Sequence, residues 1–146
     1  MSKVPIRETN VHPLVLLSIV DHFNRVNVKN RNKRVIGALM GWVDDEKVEV
    51  VNSYAIPFEE DPSQSSIWFL DHLFHESMYA MMRKISQKEK FVGWYTTGDS
   101  FKAHDIQINE IFRWYTDRPI FLVVDVEHNV YQRSLRTNWA CPPRHS

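Results

Sequence analysis

Asp71-His72-Leu73-Phe74-His75-Glu76 is where side chains with metal-binding chemistry crowd together. His72 and Glu76 are four residues apart, so on a helix they share a face and could grip one divalent ion. The order is not His-Glu-x-x-His. Helical spacing also turns Leu70, Phe74, Met81 and Ile85 toward a core and leaves His72, Glu76 and Arg83 outside. Two readings follow: a solvated polar face laced by i,i+4 pairs, or a metal-dependent hydrolase acting through His72, Glu76 or Asp105.

The second cluster is Gly93-Trp94-Tyr95-Thr96-Thr97-Gly98, followed by Asp105. It falls where a strand ends beside a helix N-terminus, a common address for a site in an α/β domain. The chemistry offered is thin. Thr96 and Thr97 have no evident base, and Asp105 reads most simply as a helix N-cap. Cys141 is the single cysteine, so a disulfide framework and an all-cysteine zinc site are excluded. Its place in the Cys141-Pro142-Pro143 end suits a nucleophile poorly. There is no Walker lysine loop, Gly-x-Gly-x-x-Gly, Gly-x-Ser-x-Gly or Cys-x-x-Cys, and with four glycines a phosphate cradle is not expected.

The elements that must position these residues are legible in outline. The 146 residues make one domain's worth of chain, and 18 basic side chains balance 18 acidic ones. That balance argues against a dedicated nucleic-acid binder, and no apolar run reaches the length needed to span a bilayer. Residues 1–10 read as polar and loose, without the apolar stretch of a signal peptide, so an intracellular domain is expected. Pro13 opens an amphipathic helix running to about residue 27. Lys29 to Arg34 is a basic, asparagine-rich segment read as a solvated turn. Val35–Val43 and Val48–Ile56 read as an antiparallel hairpin turning at Asp44-Asp45-Glu46.

Residues 59–66 read as an acidic loop, with Ser65 or Ser66 capping a helix from Trp68 to about Ser86. Phe91–Tyr95, a turn at Gly98-Asp99-Ser100, a helix over Asp105–Tyr115 and the apolar run Ile120–Val126 compose a βαβ unit. Val130–Leu135 is at most a short edge strand, and the rest of 129–146 reads as an irregular tail. The fold class is α/β: a mixed sheet with a β-hairpin and a βαβ unit, flanked by helices.

Several segments in order carry a family resemblance. They are His12-Pro13-Leu14-Val15-Leu16-Leu17 through Phe23, Arg34-Val35-Ile36-Gly37-Ala38-Leu39-Met40-Gly41, Trp68-Phe69-Leu70-Asp71-His72, Gly93-Trp94-Tyr95, Asp105-Ile106-Gln107-Ile108-Asn109-Glu110 and Val123-Val124-Asp125-Val126. Together they resemble an MPN (JAB/Mov34-type) domain, over residues 11–128. The catalytic branch of that family is a zinc isopeptidase. Its glutamate base precedes a His-x-His-Pro motif after Gly-Trp-Tyr, and a serine and an aspartate follow.

Carried onto this chain, the glutamate position is Arg34, the two histidine positions are Thr96 and Gly98, and the proline position is Asp99. Only the aspartate persists, as Asp105, and the intervening segment is shorter. A protonated arginine cannot serve as base, and one carboxylate cannot hold zinc. The resemblance therefore implies an inactive branch with no catalytic residue, metal or cofactor. It implies a non-catalytic scaffold in the proteasome regulatory lid, paired as a heterodimer with the zinc-containing deubiquitinating MPN subunit and contacting other lid subunits. A homodimer in isolation is compatible, with localisation to cytoplasm and nucleus. The matching inactive subunits of the COP9 signalosome and of translation initiation factor 3 are the alternatives within the family.

Plotted at 100° per residue, the apolar residues of the 68–86 helix cover about 220°, more than packing on one sheet requires. The surplus edge, with Leu70, Phe74, Met78 and Met82, is the expected partner interface, methionine being suited to an imperfect pocket.

Overall fold

Alternation along the central strands sorts the apolar side chains onto two faces of one sheet. The computed structural model describes residues 7–28, 33–61, 63–98, 102–126 and 131–135. Its strands are β1 (Glu8–Val11), β2 (Ile36–Asp44), β3 (Lys47–Ile56), β4 (Phe58–Asp61), β5 (Gln64–Leu70), β6 (Lys90–Thr97), β7 (Ile120–Asp125) and β8 (Tyr131–Leu135). The helices are α1 (Pro13–Asn27), α2 (His72–Ile85) and α3 (Asp105–Phe112). Six strands form a mixed sheet in the order β1-β3-β2-β6-β7-β8, and β4 and β5 pair as a separate antiparallel hairpin. β6 and β7 are parallel neighbours joined through α3, the expected βαβ unit.

One face carries Val35, Leu39, Val48, Val50, Tyr95, Leu122 and Val124 against Val15 and Ile19 of α1. The other carries Ile36, Ala38, Met40, Tyr54, Trp94, Phe121 and Val123 against Ile108 and Phe112 of α3 and Phe58 and Leu70 of the hairpin. Two bulges adjust the alternation. Met40 pairs with Asn52 while Gly41 pairs with Val50, so Val51 is the extra residue of β3. Leu39 pairs with Gly93 while Met40 pairs with Phe91, so Val92 is the extra residue of β6. The second bulge places Phe91 and Trp94, three residues apart, on the same face.

The structure corrects several sequence expectations. Glu8, Thr9 and Asn10, assigned to a loose terminus, pair parallel with β3 as an edge strand. Residues 59–66 are mostly hairpin rather than loop, whereas residues 131–135, read as at most a short edge strand, do pair antiparallel with β7 at the sheet edge. α2 starts at His72, not Trp68. Its cap is Asp71, whose carboxylate accepts the Phe74 N–H at 3.0 Å, and not Ser65 or Ser66, which lie in β5. Residues 29–32, the turn residues Asp99 and Ser100, and the segment 136–146 with Cys141 lie outside the described residues. No helix among the described residues is long and apolar enough to cross a membrane.

Gly93 marks the tightest backbone approach near the site. A Cβ there would collide with the backbone N and carbonyl of Ile120 on β7. Gly93→Ala should therefore lower unfolding free energy in urea by about 2 kcal/mol or more, because the β6–β7 pair must part to admit a methyl. A change within about 0.5 kcal/mol would show that the strands tolerate it.

Candidate functional site

Arg34 stands just before β2, and chain direction carries its side chain under the hairpin instead of into solvent. The residue is 8% exposed, which corrects its assignment to a solvated basic turn. β4 supplies Glu60, β6 supplies Thr96, and α3 supplies Asp105 with His104 as its N-cap residue. Nε donates to Glu60 Oε2 at 2.8 Å and Nη2 to Glu60 Oε1 at 3.1 Å, a bidentate pair. On the other side Nη1 donates to Asp105 Oδ2 at 3.1 Å and Nη2 lies 2.7 Å from Oδ1. Nη1 also reaches Thr96 Oγ1 at 3.3 Å. The guanidinium carbon is 5.1 Å from the Phe58 ring centroid.

His104 Nε2 lies 2.9 Å from Glu60 Oε1 and 3.0 Å from Arg34 Nη2, and the indole of Trp68 stacks on the imidazole. Asp105 is fully buried and is the first residue of α3 rather than its cap. Its Oδ2 also accepts the Lys102 N–H at 2.7 Å. Burial works against the Arg34 charge, but the hydrogen bonds and Coulomb attraction of Asp105 and Glu60 outweigh it and raise the guanidinium pKa. Burial likewise opposes the Glu60 charge, yet hydrogen bonding and attraction from Arg34, with help from His104, hold it below its ordinary value.

This donor set does not suit a zinc ion. A permanent cation already sits between the carboxylates: Asp105 Oδ2 accepts from Arg34 and from the Lys102 N–H, and Oδ1, though it accepts no hydrogen bond, lies 2.7 Å from Nη2. Among the described residues no three His, Cys, Asp or Glu side chains are grouped to hold a metal. Thr96 faces a guanidinium, which cannot take its proton, so the cluster contains no activated nucleophile. Gly98 follows β6 with a positive φ of 135°, and its N–H donates to Val124 O.

The structure brings Arg34, Thr96 and Asp105 together. His72 and Glu76 are not part of the group: both are exposed on α2. Of the residues in the hydrolase reading, which ran through His72, Glu76 or Asp105, Asp105 is buried against Arg34 and apart from the other two. Glu60 and His104 were not singled out from the sequence. A usable signal was there, because Phe58 and Glu60 are two apart on one strand and so share a face.

The phase of α2 also differs from expectation. His75 is fully buried and packs among Tyr79, Phe91, Phe112 and Tyr115. Met78, Tyr79 and Met82 line the core with it, whereas Leu73, Phe74, Met81 and Ile85 are exposed. Of the four residues assigned to a partner interface, Leu70 is buried at the end of β5, and Met78 and Met82 pack against the core. Phe74 alone is exposed. A buried histidine at the core position rotated the apolar surplus to the other side of the helix.

Comparison with known proteins fits this geometry. The family model described as JAB1/Mov34/MPN/PAD-1 ubiquitin protease matches residues 5–118. The chain is 53% identical over 126 residues to the 26S proteasome non-ATPase regulatory subunit 7 of Dictyostelium discoideum, covering 86% of this chain and 38% of that protein. It is 50% identical over 122 residues to homolog B of the same subunit in Arabidopsis thaliana, covering 84% and 39%. It is 46% identical over 121 residues to the 26S proteasome regulatory subunit RPN8 of Saccharomyces cerevisiae, covering 82% and 36%. The chain therefore spans less than two fifths of the length of these relatives.

Two buried tyrosine–histidine pairs flank the sheet and set its acid response. Tyr54 Oη lies 2.8 Å from His75 Nδ1, and Tyr95 Oη lies 2.7 Å from His22 Nδ1. Burial raises both phenol pKa values, so each hydroxyl keeps its proton beside its imidazole. Burial lowers His75 to about 4, with His72 adding repulsion, and lowers His22 to about 4, with Arg25 adding repulsion. A depressed histidine pKa means full stability above about 6.5, lost as the pH falls toward 4 while the unfolded chain takes up protons that the native state refuses. Protonation of Glu60 removes more below that range. Unfolding free energy should fall by up to about 1.4 kcal/mol per pH unit per histidine, and His75→Leu should reduce that slope. An unchanged slope in chemical denaturation between pH 6.5 and 4 would assign the acid response elsewhere.

Proposed function

The chain belongs to the JAB1/Mov34/MPN/PAD-1 family, and from that premise we propose that it is a non-catalytic scaffold subunit of the 26S proteasome regulatory lid, paired with the zinc-dependent deubiquitinating subunit of the same family. The observation that carries this reading is the buried Arg34 guanidinium between Asp105 and Glu60. By the family correspondence, Arg34 stands where the isopeptidases keep a glutamate base, and Thr96 and Gly98 stand at their histidine positions. The proteasome is favoured over the COP9 signalosome and initiation factor 3 because the relatives described above are proteasome regulatory subunits. Its expected place of work is the cytoplasm and nucleus.

A scaffold must offer surfaces, and two apolar faces support that role. Leu14 and Leu17 are exposed on α1, outside one face of the sheet. Leu73, Phe74, Met81 and Ile85 are exposed on α2 over the other face, with Ile67 and Phe69 exposed on β5 nearby in sequence. We place the contact with the catalytic subunit on the α2 face, and a weak homodimer would use the same surface in isolation.

The paired variant Phe74→Asp/Met81→Asp should leave the unfolding free energy within about 1 kcal/mol and reduce affinity for the catalytic subunit at least about tenfold. Met78→Asp should instead cost the isolated chain about 2–4 kcal/mol, because that side chain packs on the core. Undiminished affinity in the paired variant would place the interface elsewhere. The purified chain should also carry no stoichiometric zinc and cleave no ubiquitin chains. Elemental analysis finding one zinc per chain, lost with isopeptidase activity on chelation, would overturn the non-catalytic reading.

A further inference from the structure

We propose that the Arg34 pocket is a guanidinium site built into the chain, and that its cation straps the β4–β5 hairpin to β6 and α3. The inference is independent of the lid assignment and rests on geometry alone. A guanidinium has five N–H donors in one plane, and four of them are hydrogen-bonded to oxygens here. Nε donates to Glu60 at 2.8 Å and Nη2 to Glu60 at 3.1 Å; Nη1 donates to Asp105 at 3.1 Å and to Thr96 at 3.3 Å; Nη2 also lies 2.7 Å from Asp105 Oδ1 as an ion pair and 3.0 Å from His104 Nε2. The Phe58 ring lies 5.1 Å from the guanidinium carbon. His104 Nε2 lies 2.9 Å from Glu60 Oε1 and flanks the outer carboxylate.

These acceptors are spread around a fork. A zinc ion needs its lone pairs to converge on one point about 2.0–2.2 Å away, and an ammonium has three donors to meet five acceptors. The pocket therefore selects the planar cation by shape as well as charge.

The hairpin gains most from this arrangement. Phe58 and Leu70 anchor its base in the core, while Glu60 farther along β4 is held by Arg34 and His104. Trp68 opposes Glu60 in register and closes over the same imidazole. With the cation gone, Glu60 would face Asp105 across the pocket, and two carboxylates without a counter-charge repel. The strap should loosen while the six-stranded sheet remains.

The test is amide hydrogen exchange on the 146-residue chain with Arg34→Ala, with and without guanidinium chloride at about 20 mM, far below its denaturing range. Amides of residues 58–70 should accelerate in the variant by at least about tenfold more than those of β2, β6 and β7, which report only the loss of global stability. Added guanidinium should restore the protection, and sodium chloride of equal ionic strength or zinc should not. Unaltered hairpin exchange, or equal restoration by sodium chloride or zinc, would overturn the proposal. Should Arg34→Ala fail to fold, Glu60→Gln decides, since it keeps the side-chain shape and removes the charge. It should quicken exchange at residues 58–70 alone by about tenfold, and unchanged exchange there would refute the strap.

Discussion

The Arg34 guanidinium lies between Asp105 and Glu60 with almost no access to water, and the placement of four segments depends on it. Taking these charges out of water costs several kcal/mol per ion, and the mutual attraction offsets that only when the remaining donors and acceptors are satisfied. Here they are only in part: Thr96, His104 and the Lys102 N–H add contacts, but Asp105 Oδ1 and His104 Nδ1 make no hydrogen bond. The cluster is therefore better understood as a device that specifies where the hairpin and α3 lie than as a source of net stability. It also fills the end of β6: the carboxylates face the guanidinium, and so does the Thr96 hydroxyl.

Around this polar centre the sheet is organised by ordinary packing. The bulges in β3 and β6 shift the alternation so that Phe91 and Trp94 share one core with Phe112. Trp94 Nε1 donates to Asn109 Oδ1 at 2.8 Å, tying β6 to α3 through a second buried polar link. Gly37 leaves the space that the Tyr95 ring fills on its way to His22. The same strand thus carries the aromatic core on one side, the tyrosine–histidine pair on the other, and Thr96 at its end.

The strongly periodic elements were legible in the sequence: α1, β2, β3, β6, α3 and β7 all follow from apolar spacing. β1 was not, because an edge strand with one neighbour is held by backbone pairing, and Glu8-Thr9-Asn10 carries no apolar alternation. The acidic β4–β5 segment hid a hairpin because Glu59, Glu60 and Asp61 mask the inward Phe58. The α2 phase was misread because a polar residue, His75, occupies a core position that burial and Tyr54 make tolerable. At the site, the family resemblance brought Arg34, Thr96 and Asp105 together. Glu60 and His104 are remote from them in sequence (His104 excepted from Asp105), and only the folded hairpin delivers them.

The central claim is that Arg34 and Asp105 act as one unit, and a double-mutant cycle in chemical denaturation measures it directly. Arg34→Met alone strands a buried carboxylate, and Asp105→Asn alone weakens the hold on a buried guanidinium, so each should cost about 3 kcal/mol or more. The double variant should cost less than the sum of the two by at least about 1.5 kcal/mol, because neither charge is left unpaired against the other. Costs that add to within about 0.5 kcal/mol would contradict the account and reduce the cluster to a coincidence of neighbours.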